Sequence, residues 1–196
     1  MMDLNYIVKR RRNFLSRWKL RRRCSLTAEL VGRYAAGRGE LSVLDIGACD
    51  GAMLSFIKDR FPCARCVGVE PEESFLSGPA DQRITLLRGR GEELDLPPGS
   101  FDVALLSSVL EHVERPEEML RRVLAALKPG GSLIMLTVLP AYERLTVGTG
   151  FKKNDHFRNY NRGEAALALA AAGFAVVESR TVWTQMYNLT VGKKPS

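Results

Sequence analysis

Long apolar runs are what this 196-residue sequence lacks. The longest, residues 165–177, is too short to cross a bilayer and is divided by Gly173 into a helix and a strand. No apolar stretch follows the basic N-terminus, so no signal peptide is expected. Cysteine is sparse. Four are present, and although Cys63 and Cys66 have the spacing of a metal knuckle, Cys24 and Cys49 belong to other elements. Zinc takes about four ligands, so one knuckle argues against a metal site, and free thiols fit a reducing cytoplasm. Histidine is scarcer still. Only His112 and His156 occur, so an imidazole base can come from just two positions. Two nucleotide signatures are missing as well. No Gly-x-x-x-x-Gly-Lys-Ser/Thr loop is present, and no Tyr-x-x-x-Lys pair serves reductase chemistry.

Against these absences stands Val-Leu-Asp-Ile-Gly-Ala-Cys-Asp-Gly at residues 43–51. An apolar run stops at Asp45, breaks at Gly47 and Gly51, and leads into Met53, Leu54, Phe56 and Ile57, which recur on one side of a helix. A buried strand, a tight turn and a helix follow from that pattern. The glycines permit backbone angles and close approaches that a side chain would block, and the helix start offers unpaired N–H donors. A second apolar run, Cys66 to Glu70, ends in a carboxylate and is stopped by Pro71. An acid at the carboxyl end of a neighbouring parallel strand can accept both hydroxyls of a ribose. The Gly-x-x-x-Gly spacing after Asp45 is not that of nicotinamide-binding folds.

These segments resemble the adenosine-binding motifs of class I S-adenosylmethionine-dependent methyltransferases. Residues 43–51 are similar to the family's first motif, with Cys49 where the middle glycine is usual. Phe101-Asp102-Val-Ala-Leu-Leu-Ser-Ser-Val-Leu-Glu111-His112-Val113 resembles the strand 4 signature of the type 11 methyltransferase group. A helix then opens with Pro116, Glu117 and Glu118, carries Met119, Leu120, Val123, Leu124 and Leu127 on one face, and ends at Lys128-Pro129-Gly130-Gly131. Ser132 to Val138 reads as strand 5. Asn161 and Glu164 start a further helix, stopped by Gly173. Phe174–Val182 and Thr184–Val191, almost adjacent, predict an antiparallel hairpin. The expected fold is α/β: a Rossmann-like seven-stranded sheet, mostly parallel with a C-terminal antiparallel hairpin, and helices on both faces.

The resemblance implies S-adenosylmethionine as cofactor and assigns its contacts. Asp45 and the Gly47-Ala48-Cys49 backbone meet the methionine moiety, and Gly51 is a further cofactor contact. Glu70 and Pro71 lie at the ribose, and Ser107 near the transferred methyl. Arg90 stands where the family often has an adenine-binding acid, which leaves Glu92 to take that place or the backbone alone to read the adenine amino group. His112, at the carboxyl edge of the sheet, and His156, in the variable connection after strand 5, are candidate bases. Arg158 and Tyr160 are candidate acceptor contacts. No Asn-Pro-Pro-Tyr-like tetrapeptide follows strand 4, and no separate RNA-binding domain has room. A small-molecule or lipid-linked acceptor is therefore expected over RNA or protein, and a non-catalytic binding module is the remaining alternative.

Charge divides the chain in two. Residues 1–24 hold nine Lys or Arg against Asp3, a net of +8, whereas the whole chain carries +7. A basic arm (residues 1–24) thus precedes a near-neutral single domain (residues 25–196). On the arm Leu4, Ile7, Val8, Phe14, Leu15 and Trp18 fall on one side of a helical wheel, interrupted by Arg11 and Arg22. Such a helix can lie on an anionic membrane, clamp a phosphate backbone, or simply cover the cofactor pocket with its charges solvated. Nucleic acid is the less expected partner. The location that follows is cytoplasmic, with a peripheral position at the inner membrane surface open to the arm.

Overall fold

The computed structural model describes residues 13–76, 81–93, 95–142 and 156–196. Helix α1 (Phe14–Tyr34) is capped by Asn13, whose side-chain oxygen accepts from the N–H groups of Leu15 at 2.9 Å and Ser16 at 3.4 Å. It runs unbroken past residue 24, so the basic arm continues directly into a helix packed on the core through Cys24, Leu26, Thr27, Ala28, Leu30 and Val31. Residues 1–12, with Leu4, Ile7 and Val8, lie outside the described residues.

Seven strands follow: β1 (Leu41–Ile46), β2 (Cys63–Glu70), β3 (Thr85–Arg88), β4 (Phe101–Ser107), β5 (Leu127–Val138), β6 (Ala175–Val182) and β7 (Tyr187–Lys193). They form one sheet in the order β3-β2-β1-β4-β5-β7-β6. The first five pair in parallel, and β7 is inserted antiparallel between β5 and β6. The chain reverses on either side of β1, between β2 and β4, which in such sheets opens a crevice at the carboxyl ends of the strands.

Among the described residues, helices α2 (Ala52–Lys58), α3 (Glu73–Leu76), α4 (Pro116–Ala126) and α5 (Arg162–Ala171) join α1 around the sheet. Because parallel strands are covered on both faces, successive residues serve opposite cores. Leu41 and Val43 of β1 with Val103 and Leu105 of β4 pack beneath α1 and α2. Leu44, Ile46, Ala104 and Leu106 pack beneath α4 and α5. The expected start of α4 is present, with Pro116 at its first turn and Glu117 and Glu118 beside it. So is the capping box of α5: Glu164 N–H donates to Asn161 at 3.0 Å, and Asn161 N–H to Glu164 at 2.8 Å.

The second hairpin strand begins three residues later than the apolar run at Thr184 predicts. Trp183–Gln185 form a 3-10 turn, and Met186 takes a left-handed φ of 58° before β7 starts. That extra turn leaves Trp183 on the surface.

Candidate active site

The glycine turn is stitched to the end of β2. The N–H groups of Gly47 and Ala48 both donate to the Val69 carbonyl, at 2.8 and 3.0 Å. Cys49 N–H donates to Glu70 Oε2 at 2.9 Å, and Glu72 N–H to Glu70 Oε1 at 3.1 Å. Glu70 therefore fixes the turn as well as facing the crevice. Gly47, at φ 74°, lies so close to Val109 that a Cβ would strike its Cγ2. Cys49, at φ 50°, shows why a glycine is usual there: an L-residue bears left-handed strain of about 1 kcal/mol.

A cavity of about 630 Å³ opens at this end of the sheet. Asp45, Gly47, Ala48, Cys49, Glu70, Pro71, Glu92, Ser107 and His112 all line it. Gly51 does not. It caps α2 from behind, at φ 74°, where a Cβ would run into Ile84. Three of the lining acids, Asp45, Glu70 and Glu92, are buried. Burial pushes the Asp45 carboxyl up to about 7, Arg23 opposes the shift, and the neighbouring Glu70 adds to it. Burial also raises Glu70, against the pull of its two backbone N–H partners at Glu72 and Cys49.

The two histidines, 44 positions apart in sequence, meet. Their ring centroids are 4.4 Å apart and the rings stand edge to face at 89°. His156 Nδ1 lies 3.1 Å from Asn159 Oδ1. The segment carrying His156 is pinned by Glu111, whose carbonyl accepts from Phe157 N–H at 2.9 Å and whose buried carboxylate accepts from Val138 N–H at 2.6 Å. Phe157 reaches the cavity wall, but His156, Arg158 and Tyr160 do not line it. Tyr160 is buried in the core on the α4 and α5 side, and the Arg158 guanidinium lies 5.7 Å from its ring centroid.

The reading of the arm as a cover for the pocket names no residue; the wall also contains Leu20 and Arg23 of α1. Arg23 also reaches the Tyr187 hydroxyl, at 3.5 Å. Its position directly before Cys24, the first buried residue of α1, is the hint that an arginine in so basic a run faces inward. Cys63 and Cys66 are free thiols at the other end of β2, and among the described residues no group of three metal-binding side chains forms.

The lining suits an adenosyl ligand. Glu70 has about four lone-pair sites, of which backbone N–H groups take two, leaving capacity for both hydroxyls of a ribose. Ser107 Oγ is buried at the end of β4 with no hydrogen-bond partner among the described residues. A family model described as a methyltransferase domain matches residues 8–179. The chain belongs to that family. S-adenosylmethionine is the cofactor of this class of methyltransferase, and the Rossmann-like sheet is its fold.

An uncharacterized methyltransferase of Mycobacterium avium is 34% identical to this methyltransferase over 108 residues, 53% of the present chain and 41% of the relative. The mitochondrial ubiquinone biosynthesis O-methyltransferase of Schizosaccharomyces pombe is 31% identical over 104 residues, 49% and 37% of the two chains. The matches thus span less than half the length of these relatives. A solved S-adenosylmethionine-dependent methyltransferase of Thermotoga maritima superposes with a TM-score of 0.69 at 23% identity, covering 98% of this chain and all of that one.

Proposed function

We propose that this methyltransferase carries the methyl group of S-adenosylmethionine to a small-molecule or lipid-linked acceptor in the cytoplasm. The observation that carries the reading is the single cavity wall shared by the glycine turn, Glu70, the unpartnered Ser107 hydroxyl and His112. When bound, the cofactor supplies an electrophilic methyl on a sulfonium, which leaves as a thioether when an acceptor lone pair takes the methyl. The protein's task is alignment and exclusion of water. Asp45 and the 47–49 backbone would hold the amino-acid end, Glu70 and Pro71 the ribose, and Glu92 the adenine amino group. His112, at the cavity, would take the acceptor's proton, with His156 orienting its ring and Asn159 orienting His156.

A lipid-linked or phenolic acceptor draws support from the relative named for ubiquinone biosynthesis. Calorimetric titration with S-adenosylmethionine and its demethylated product tests the cofactor site. Glu70→Ala is expected to bind about 10- to 100-fold more weakly, the range of a hydrogen-bonded charged group. Equal affinity in the variant and the parent would refute the assignment. With cofactor saturating, His112→Ala should lower turnover on a hydroxyl acceptor by about 100-fold or more, and unchanged turnover would remove it from the chemistry.

A further inference from the structure

The chain has two tryptophans, and both are exposed near the carboxyl ends of the parallel strands. Trp18 lies on α1, and Trp183 on the turn between β6 and β7. The turn is anchored to the end of β5, where Leu139 N–H donates to the Met186 carbonyl at 3.0 Å, and α1 packs against it. At about 100° per residue, Phe14, Leu15 and Trp18 share one edge, directed away from the buried Cys24, Thr27 and Val31. Phe14 is 81% exposed, Trp18 43% and Trp183 70%. Arg17, Lys19 and Arg21 lie beside that edge and Arg22 interrupts it, all exposed, and the first acid of the helix is Glu29.

Exposed aromatics interleaved with cations, with no acid on the helix before Glu29, suit the headgroup region of a bilayer, where long basic side chains extend to the anionic headgroups beside the rings. The aromatics enter the acyl boundary, and the cations meet anionic lipid. We infer that the outer edge of α1, together with Trp183 and Met186, docks on an anionic membrane surface. Its residues are separate from those lining the cavity, whose wall is formed by Leu20 and Arg23 on another side of the same helix. Docking through α1 therefore sets the cavity beside the bilayer. The inference deepens the reading of a lipid-linked acceptor, and rests on it for its purpose but not for its geometry.

Two other occupants fit less well. RNA would stack bases on the tryptophan, but the Arg22 guanidinium already lies 5.0 Å from the centroid of the Trp18 ring. A second copy of the chain would set these cations against one another.

The test uses the full chain with vesicles of phosphatidylcholine alone and of phosphatidylcholine mixed with phosphatidylglycerol. Flotation should recover the protein with the mixed vesicles only, and added salt should release it. Because Trp18 and Trp183 are the only tryptophans, the same vesicles should shift the intrinsic fluorescence to the blue. Trp18→Ala with Trp183→Ala should weaken binding about tenfold or more, and so should Arg21→Glu with Arg22→Glu. Both double variants should bind S-adenosylmethionine as the parent does, which also reports that they are folded. Recovery with neither vesicle, equal recovery of parent and variants, or retention by RNA instead of lipid would each overturn the inference. Lipid binding needs no methyl transfer, so a failed cofactor titration with intact flotation would sink the enzymatic reading alone.

Discussion

Asp45 sits where two opposite pH dependences meet. Its carboxyl is buried at the end of β1 and pushed up to about 7 by burial, with Arg23 pulling it down and Glu70 pushing it up. In the unfolded chain the group titrates near its ordinary value of 3.8. A raised folded value means that the native state holds the proton more tightly. The group's contribution to stability is then complete below about pH 4 and is lost as pH rises through about 7. Cofactor binding should run the other way. An ammonium group against Asp45 favours the ionised form, so affinity should rise with pH up to about 7, by at most about tenfold per unit, and level off above it. Calorimetry across that range would show the slope, and Asp45→Asn should flatten it. Arg23→Ala removes the opposing charge, so the inflection should move above that of the parent. A parent profile that is already flat would mean that Asp45 does not face the ligand's cation.

Elements are held in register by a different acid, Asp102, at the start of β4. Its Oδ2 accepts from Ser42 N–H of β1 at 2.9 Å and from Lys128 at 2.8 Å, and its Oδ1 accepts from Arg38 at 2.8 Å. Burial pushes this carboxyl up, but the bonds from Lys128, Ser42 and Arg38 outweigh it and leave it below the ordinary range. Its stabilisation is present above the unfolded value and is lost as pH falls through the folded one. Asp102→Ala leaves the Ser42 N–H without its acceptor and should cost about 2 kcal/mol, part of the ion-pair gain being discounted because Lys128 and Arg38 are partly exposed. Urea denaturation would measure it. In sequence this residue is simply the acid after Phe101 in the strand 4 signature. Which strands were legible follows from their burial. β1, β2 and β4 are apolar runs ending at the crevice, so Asp45 and Glu70 could be placed near their ends from pattern and Ser107 from the resemblance. β3 is an edge strand, Thr85-Leu-Leu-Arg, with mostly exposed side chains and no buried face to impose a period. The start of β7 was obscured because Trp183 and Thr184 have strand propensity, yet a left-handed Met186 ends a turn there.

For the molecule as a whole, helix α1 decides how the parts work together. Its charge marked residues 1–24 as an appendage, because a run of arginines has the same composition whether it faces water or a cavity. The three-dimensional path names the residues, with Leu20 and Arg23 in the cavity wall while Cys24, Leu30 and Val31 join the core. If the cofactor touches Arg23, its binding and the packing of the helix on the core are one equilibrium, since such a ligand stabilises only the packed form. Trypsin can read this directly. Arg17, Lys19, Arg21 and Arg22 are exposed on the helix, but a protease needs extended chain, so cleavage there requires the helix to open. If opening is fast relative to cutting, the rate should fall by the factor by which ligand depletes the open form, about 100-fold at a cofactor concentration of 100 times Kd. Cleavage elsewhere on the surface serves as the internal control. A helix cut at the same rate with and without a ligand that calorimetry shows to be bound would place α1 outside the cofactor site.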